Sequence, residues 1–299
     1  MSDSHLRLDR ISLPRDDAAG RFVMSSLTAD SAASAALPAP DFGILMRQWR
    51  RRRGLSQLHL AETGGVSQRH VSFLESGRAR PSRQMVLHLG ELLDLPLRER
   101  NRLLTAAGFA AAYRESRLDA PQLAEARMAL DLLLRQQEPF PAIVVDGTWT
   151  MQLGNRAAQR MIGFLLGPGA AGDSPANLIR LPLHPKLARP YIVNWEEVAA
   201  AMLHQLQREA LDNPAAAALL AEVRRYPDVE TLWRGLDWDA APRSVLTFRV
   251  EKDGLALSLV TLIATFGTPQ DVTLQDLRIE SFLPADAATE RIFRQLAEG

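Results

Sequence analysis

The chain has 299 residues, 46% of them hydrophobic and 23% charged, with no cysteine and a formal net charge of zero. That length accommodates about two domains with sizeable cores, and the missing cysteine excludes a disulfide framework and thiolate metal sites and fits a reducing cytoplasm. No apolar run reaches the ~18 residues of a spanning helix, and charges scattered through the first thirty residues argue against a signal peptide.

In chain order, residues 1–40 read as a tail. Its end, SAASAALPAP at 31–40, is low in complexity and is expected to be disordered, and Met24 offers an alternative start to Met1. From Asp41 the pattern turns helical: Phe42, Leu45, Met46 and Trp49 recur on one face, and Gly54 ends that helix. Ser56 is an N-cap for a short helix over 57–63. Gly64 and Gly65 make a turn, and Ser67 caps a third helix ending near Ser76 and Gly77. Pro81 and Ser82 open a fourth, with Met85, Val86, Leu89 and Leu93 facing inward, and 98–107 is a fifth, stopped at Gly108. These helices predict a compact all-α domain over 41–108.

Residues 109–139 read as a linker and a connecting helix. Leu123, Leu130, Leu133 and Leu134 form an apolar face over 121–137, and Pro139 and Pro141 break the pattern. Then 142–145 and 148–153 look like two strands around Asp146-Gly147. Asn155 can cap a helix through Leu166, 167–175 reads as a loop, and 195–211 and 214–226 read as helices. Three strands are expected over 244–250, 255–266 and 272–282, with Asp253-Gly254 as a hairpin turn. Residues 140–299 are therefore expected to form an α+β domain with an antiparallel sheet of about five strands and inserted helices.

Charge divides along the same line. Residues 41–117 hold 14 arginines against 7 acidic residues, a net of +7, whereas 118–299 hold 17 basic and 23 acidic residues, a net of −6, and 1–40 supplies the last −1. Only the first module would attract a phosphate backbone. Within 55–77 (LSQLHLAETGGVSQRHVSFLESG), Ala61 is small where helices cross and Gly65 suits the positive-φ position of a turn. Val66, Val71 and Leu74 anchor the third helix, while Gln68, Arg69 and Ser72 point outward, as a helix in a major groove requires.

This stretch resembles the XRE family of phage-repressor-type helix-turn-helix domains. The matching residues are Arg50, Gly54-Leu55-Ser56-Gln57, Leu60-Ala61, Gly65-Val66-Ser67, Val71-Ser72, Glu75, Gly77 and Pro81-Ser82. The resemblance implies base contacts by Gln68, Arg69 and Ser72, with His70 and Phe73 on the flanks of the same helix. It implies phosphate contacts by Gln57, Arg78, Arg80 and Arg83. Ser67 is first an N-cap and second a phosphate contact. The Arg50 to Arg53 run adds long-range attraction, with Arg53 a further phosphate candidate, although such a run also suits a solvated helix face. Arg50 is expected to pair with Glu75 in a partly buried scaffold contact. A single module covers little DNA, so a homodimer on half-sites about 34 Å apart is expected.

The C-terminal part resembles the PAS-like ligand-binding domain of MmyB-like regulators, also called the MltR type. The resemblance rests on Asn155-Arg156-Ala157-Ala158, Asn177-Leu178, Arg180, Pro185 and Trp195-Glu196-Glu197-Val198. Gly154 and Asn194 depart from the Trp and Asp usual there. The resemblance implies a sheet cupping a pocket for a small apolar ligand such as a fatty acid. Trp149, Met151, Phe164, Trp195, Phe248 and Leu259 are the candidate lining, and His184, Arg189 or Asn194 the candidate partner for a polar head. Each apolar residue equally suits a filled core. The competing reading is a repressor whose C-terminal domain only dimerises or docks a protein partner.

No enzyme is indicated. The six histidines show no metal spacing, GPGAAG at 167–172 lacks the strand, helix and lysine of a phosphate loop, and no GxSxG or HExxH occurs. No cofactor is expected, since nothing marks an axial ligand for heme or a flavin site. The expectation is a cytoplasmic bacterial DNA-binding regulator with no membrane contact.

Overall fold

A computed structural model describes residues 41–167, 176–238 and 245–298. The expected tail at 1–40, the loop residues 168–175 and the strand start at Ser244 lie outside the described residues.

Five helices come first: α1 (Phe42–Arg52), α2 (Gln57–Thr63), α3 (Gln68–Glu75), α4 (Arg83–Leu92) and α5 (Leu97–Ala106). Four of them start where a short polar side chain accepts a backbone N–H: Asp41 from Gly43, Ser56 from His59, Ser67 from His70 and Ser82 from Met85. Each such cap stabilises its helix by roughly 1 kcal/mol. Phe42, Met46, Trp49, Leu60, Val71, Leu74, Leu89 and Leu103 meet in one core. Gly43 sets how closely α1 crosses α3, because a Cβ there would lie 2.6 Å from the Leu74 carbonyl oxygen. Gly65, at φ +63°, turns the chain from α2 into α3.

A single 3₁₀ turn (Pro121–Leu123) leads into α6 (Ala124–Gln136). The strands β1 (Ala142–Val145), β2 (Met151–Gly154), β3 (Thr247–Lys252), β4 (Leu255–Ala264) and β5 (Arg278–Pro284) form one antiparallel sheet in the order β2-β1-β5-β4-β3. Between β2 and β3 the chain inserts α7 (Arg156–Leu166), α8 (Arg180–Leu183), α9 (Trp195–Ala210), α10 (Pro214–Val223) and α11 (Val229–Gly235). The inserted helices cover one face of the sheet, here the inner face, where Ile143, Val145, Leu257, Leu259 and Phe282 meet Met161, Leu165, Leu203 and Leu219. On the outer face Leu130 and Leu134 of α6 pack on Ala142, Val144, Leu277 and Ile279. With both faces covered, all four residues of β1 are buried, which explains its unbroken apolar run. The closing helix α13 (Ala287–Glu298) lies against β4 and β5.

Two local expectations are corrected. Residues 272–276 form a short helix, α12 (Val272–Asp276), rather than the start of a strand. Asp271 causes this: its carboxylate accepts the Thr273 N–H at 2.9 Å, while the Val272 N–H is drawn to the Arg114 carbonyl. The strand expected from 148 begins at Met151. Asp146 Oδ1 accepts from the N–H groups of Thr148 and Thr150, and Trp149 adopts φ +64°, so the connection is wider than a two-residue hairpin.

α12 is also where the α+β part touches the helix-turn-helix. Gln275 Oε1 accepts the Leu97 N–H at 2.6 Å, and Arg98 pairs with Asp276 at 2.9 Å and with Glu115 at 2.7 Å.

Candidate DNA-binding surface and ligand-binding core

Helix α3 is two-sided. Val71, Leu74 and Glu75 are buried, Gln68 and Arg69 are exposed, and His70, Ser72 and Phe73 are half-buried. Gln68 and Arg69 lie four and three residues before Ser72, so each neighbours it on the same side of the helix. The Arg69 guanidinium rests 5.1 Å from the Phe73 ring centre, which holds the arginine along the helix surface. Arg78, Arg80 and Arg83 are exposed on the segment joining α3 to α4 and on the first turn of α4.

Behind this stripe sits a polar network. The carboxylate of Glu75 takes two hydrogen bonds from Arg50, through Nε to Oε1 and Nη2 to Oε2, and a third from Gln57 Nε2 at 2.8 Å. Arg47 adds an ion pair at 3.4 Å. Burial pushes the Glu75 pKa up, but the hydrogen bonds and nearby positive charge outweigh it, and the group stays below the usual carboxylate range. One amide hydrogen of Gln57 is thus spent on Glu75, leaving the second for another acceptor. Arg53 is also committed: it donates to the carbonyls of Leu93 and Asp94 at the end of α4.

In the C-terminal part, Trp149, Met151, Phe164, Trp195, Phe248 and Leu259 do come together, all within or against the inner-face cluster. The three head-group candidates serve the scaffold instead. Asn194 pins the start of α9 to β3, donating to the Thr247 carbonyl at 2.6 Å and accepting from the Arg249 N–H at 3.0 Å. Arg189 pairs with Asp228 at 2.6 Å and stacks on Trp195 at 3.8 Å. His184 packs edge-on against Tyr226 at 4.9 Å.

Sequence reasoning missed the charged groups that the inner face carries. Arg278 pairs with Glu209 of α9 at 2.9 Å and lies 4.8 Å from the Trp149 ring centre, while Trp149 Nε1 donates to Glu209 at 2.8 Å. Lys252 donates to the Phe164 and Leu165 carbonyls at the end of α7. Glu280 is 7% exposed, and burial pushes its carboxyl up to about 7, with only the Arg278 charge acting the other way. The sole sequence signal was charge alternating with apolar residues in RIESF, which also describes an ordinary solvent-facing strand.

Among the described residues, no group of three or more metal-ligating side chains gathers, and no helix is long and apolar enough to cross a membrane. An open cleft of about 340 Å³ lies elsewhere, between the 118–121 segment and α6.

Residues 126–296 match the family model described as the MmyB-like transcription regulator ligand binding domain, and residues 41–103 match a helix-turn-helix domain. Both are regulator domains. No curated protein matches the chain. Among solved structures, it is similar at 15% identity and a TM-score of 0.26 to one titled "Structure of an RNA-binding Light-Oxygen-Voltage Receptor". That match covers 86% of this chain and 62% of the other, a likeness too slight to carry an argument. With its five-helix module and its five-stranded sheet under inserted helices, the chain belongs to the MmyB-like transcription regulators and is a DNA-binding regulator of transcription.

Proposed function

We propose that this protein is a one-component regulator of the XRE type: α3 enters a major groove as part of a homodimer, and a small apolar ligand in the C-terminal domain biases that binding. The observation that carries the DNA half is the two-sidedness of α3. Its inner residues Val71 and Leu74 sit in the core and Glu75 is held by Arg50 and Gln57, while Gln68 and Arg69 stand exposed beside Ser72 and next to Arg78, Arg80 and Arg83. Arginine suits bidentate contact with guanine and glutamine with adenine, and His70 approaches the same groove from the flank. The flanking arginines, with Ser67 and the second amide hydrogen of Gln57, belong to the phosphate side, which positions the module without selecting sequence, whereas Arg53 is held by the Leu93 and Asp94 carbonyls.

Arg69→Ala is expected to weaken specific binding by roughly 1–3 kcal/mol and to relax selectivity at one base position. Competition binding against sequence variants of the operator measures this, and an unchanged specific affinity would remove Arg69 from the readers.

The ligand half rests on the apolar inner face of the sheet. α12 supports a route from that face to DNA, because it leads directly into β5 and holds α5 through Gln275 and Asp276. A ligand acts here only by binding two states with different affinity. The apolar side chains that α6 leaves exposed, Met128 at 64% and Leu132 at 50%, support a contact between two copies.

Native mass spectrometry of the purified protein is expected to show a dimer, and footprinting to show two half-sites about one helical turn apart. A monomer protecting a single half-site would end the dimer reading. A dimer that binds no apolar small molecule would favour a domain devoted to dimerisation or partner docking.

A further inference from the structure

Helix α6 has two apolar sides, and the sheet covers one of them. Leu130 and Leu134 pack on the outer face of the sheet. Met128 and Leu132 lie two residues before them, which at 3.6 residues per turn puts them on the opposite side of the helix. Both are exposed. Glu125 and Arg135 continue the stripe, also exposed, so that Glu125, Met128, Leu132 and Arg135 follow one another at steps of three, four and three residues. That is the a/d spacing by which one helix seats along another.

The middle of the stripe is apolar and its two ends carry opposite charges. Among the described residues neither Glu125 nor Arg135 has a hydrogen-bond or ion-pair partner. Arg127 and Asp131, on the flank, are paired with each other at 3.4 Å. The open cleft between the 118–121 segment and α6 runs alongside, with Leu118, Pro121, Ala124 and Met128 as its apolar lining.

The order of these residues is self-complementary. Consider two antiparallel copies of α6 related by a two-fold axis level with Leu130. Met128, two positions before that level, meets the partner's Leu132, two positions after it. Glu125, five positions before, meets the partner's Arg135, five positions after. Both charges are then paired at both ends of the contact. A parallel pairing sets glutamate against glutamate and arginine against arginine, which is unfavourable. A two-fold contact between identical chains requires a patch that complements itself, and an unrelated partner does not.

We propose that two copies of this protein associate through this stripe, with their α6 helices packed antiparallel. This rests on the reading of the protein as a homodimer, and it names the surface and its direction. The Met128 and Leu132 layers exclude water at the centre, the cleft beside Met128 gives the partner's Leu132 room, and the Glu125–Arg135 pairs at the rim fix the orientation. The 13 residues of α6 span only about 20 Å. So short a seam is smaller than a permanent interface, and the dimer exchanges with monomer on dilution.

The test is sedimentation equilibrium of the full chain over a range of concentrations. It compares the parent with Leu132→Asp, Glu125→Arg, Arg135→Glu and the double charge reversal. These side chains are exposed, so the variants should keep the parent's circular dichroism and Tm. The parent is expected to form a reversible dimer. Leu132→Asp is expected to weaken it at least about tenfold, because it strips two symmetry-related layers of apolar cover and places a charge in each. Either single reversal is expected to weaken it about tenfold, since it turns two opposite-charge contacts into two like-charge ones. The double reversal is expected to return to within about threefold of the parent, because the pairs are restored with their signs exchanged. A parent dimer that ignores Leu132→Asp overturns the proposal and leaves the homodimer reading standing on another surface. So does a double reversal no better than the single ones. A parent that stays monomeric at every concentration overturns the proposal and the homodimer reading together, and leaves the stripe to a different protein.

Discussion

Arg50→Ala is expected to destabilise the protein by roughly 3–5 kcal/mol, the cost of leaving one partner of a buried ion pair uncompensated. Glu75 is 3% exposed and Arg50 8%, so water cannot replace the lost guanidinium. Arg50 also donates to the Leu55 carbonyl, the residue that leads into α2, so the substitution frees the turn as well as the carboxylate. Gln57 remains on Glu75, and Arg47 remains near it, which places the expected loss toward the lower end of that range. The double substitution Arg50→Met with Glu75→Leu should recover most of the stability, because apolar residues of similar size remove both charges at once. Urea unfolding of the three proteins checks this, and a single-variant loss under about 1 kcal/mol would show that the pair is not a keystone of α1, α2 and α3. Glu75 has a folded pKa below its unfolded value of 4.5. Its contribution is therefore present above about pH 4.5 and is lost as pH falls through the folded pKa.

Glu280 predicts the opposite dependence. Its carboxyl titrates at about 7 in the folded chain against 4.5 when unfolded. Between those values the folded state binds the proton more tightly, so the contribution to stability is full below about pH 4.5 and is lost as pH rises through about 7. At ~1.4 kcal/mol per unit the difference amounts to roughly 3–4 kcal/mol above pH 7. Glu280→Gln removes the ionisation, and the ligand-free variant should be more stable than the parent by about that amount near pH 8 and nearly equal to it near pH 4. Thermal or urea unfolding across that range measures the gap. A gap that does not change with pH would show that Glu280 is solvated or paired in the folded protein.

These two acids show why one site was legible in the sequence and the other was not. Glu75 sits in a run of residues whose spacing repeats a known pattern, and its partner Arg50 is named by the same pattern. Glu280 has no such neighbour. Charged and apolar residues alternate around it as they do in any strand with one wet face. Arg278 and Glu209 are 69 positions apart in the chain and are joined only because α9 lies across β5. Asn194, Arg189 and His184 looked available for a ligand because their partners at Thr247, Asp228 and Tyr226 are distant in sequence.

What the sequence determined by itself was local. Ser56, Ser67 and Asn155 cap the helices their positions announce, because a cap needs only the next three residues. The spacing of Val71 and Leu74 against Gln68 and Arg69 settles which side of α3 is buried, because helical periodicity is a property of the segment alone. The division into a basic module and an acidic one is also written in the chain. The tertiary structure alone decided which strand faces are covered and which charges are thereby buried. It turned 272–276 into the helix that meets α5, since the Arg114 carbonyl that holds the Val272 N–H comes from far along the chain. It also buried Glu280 on the inner face, because burial there is created by helices inserted more than forty residues upstream.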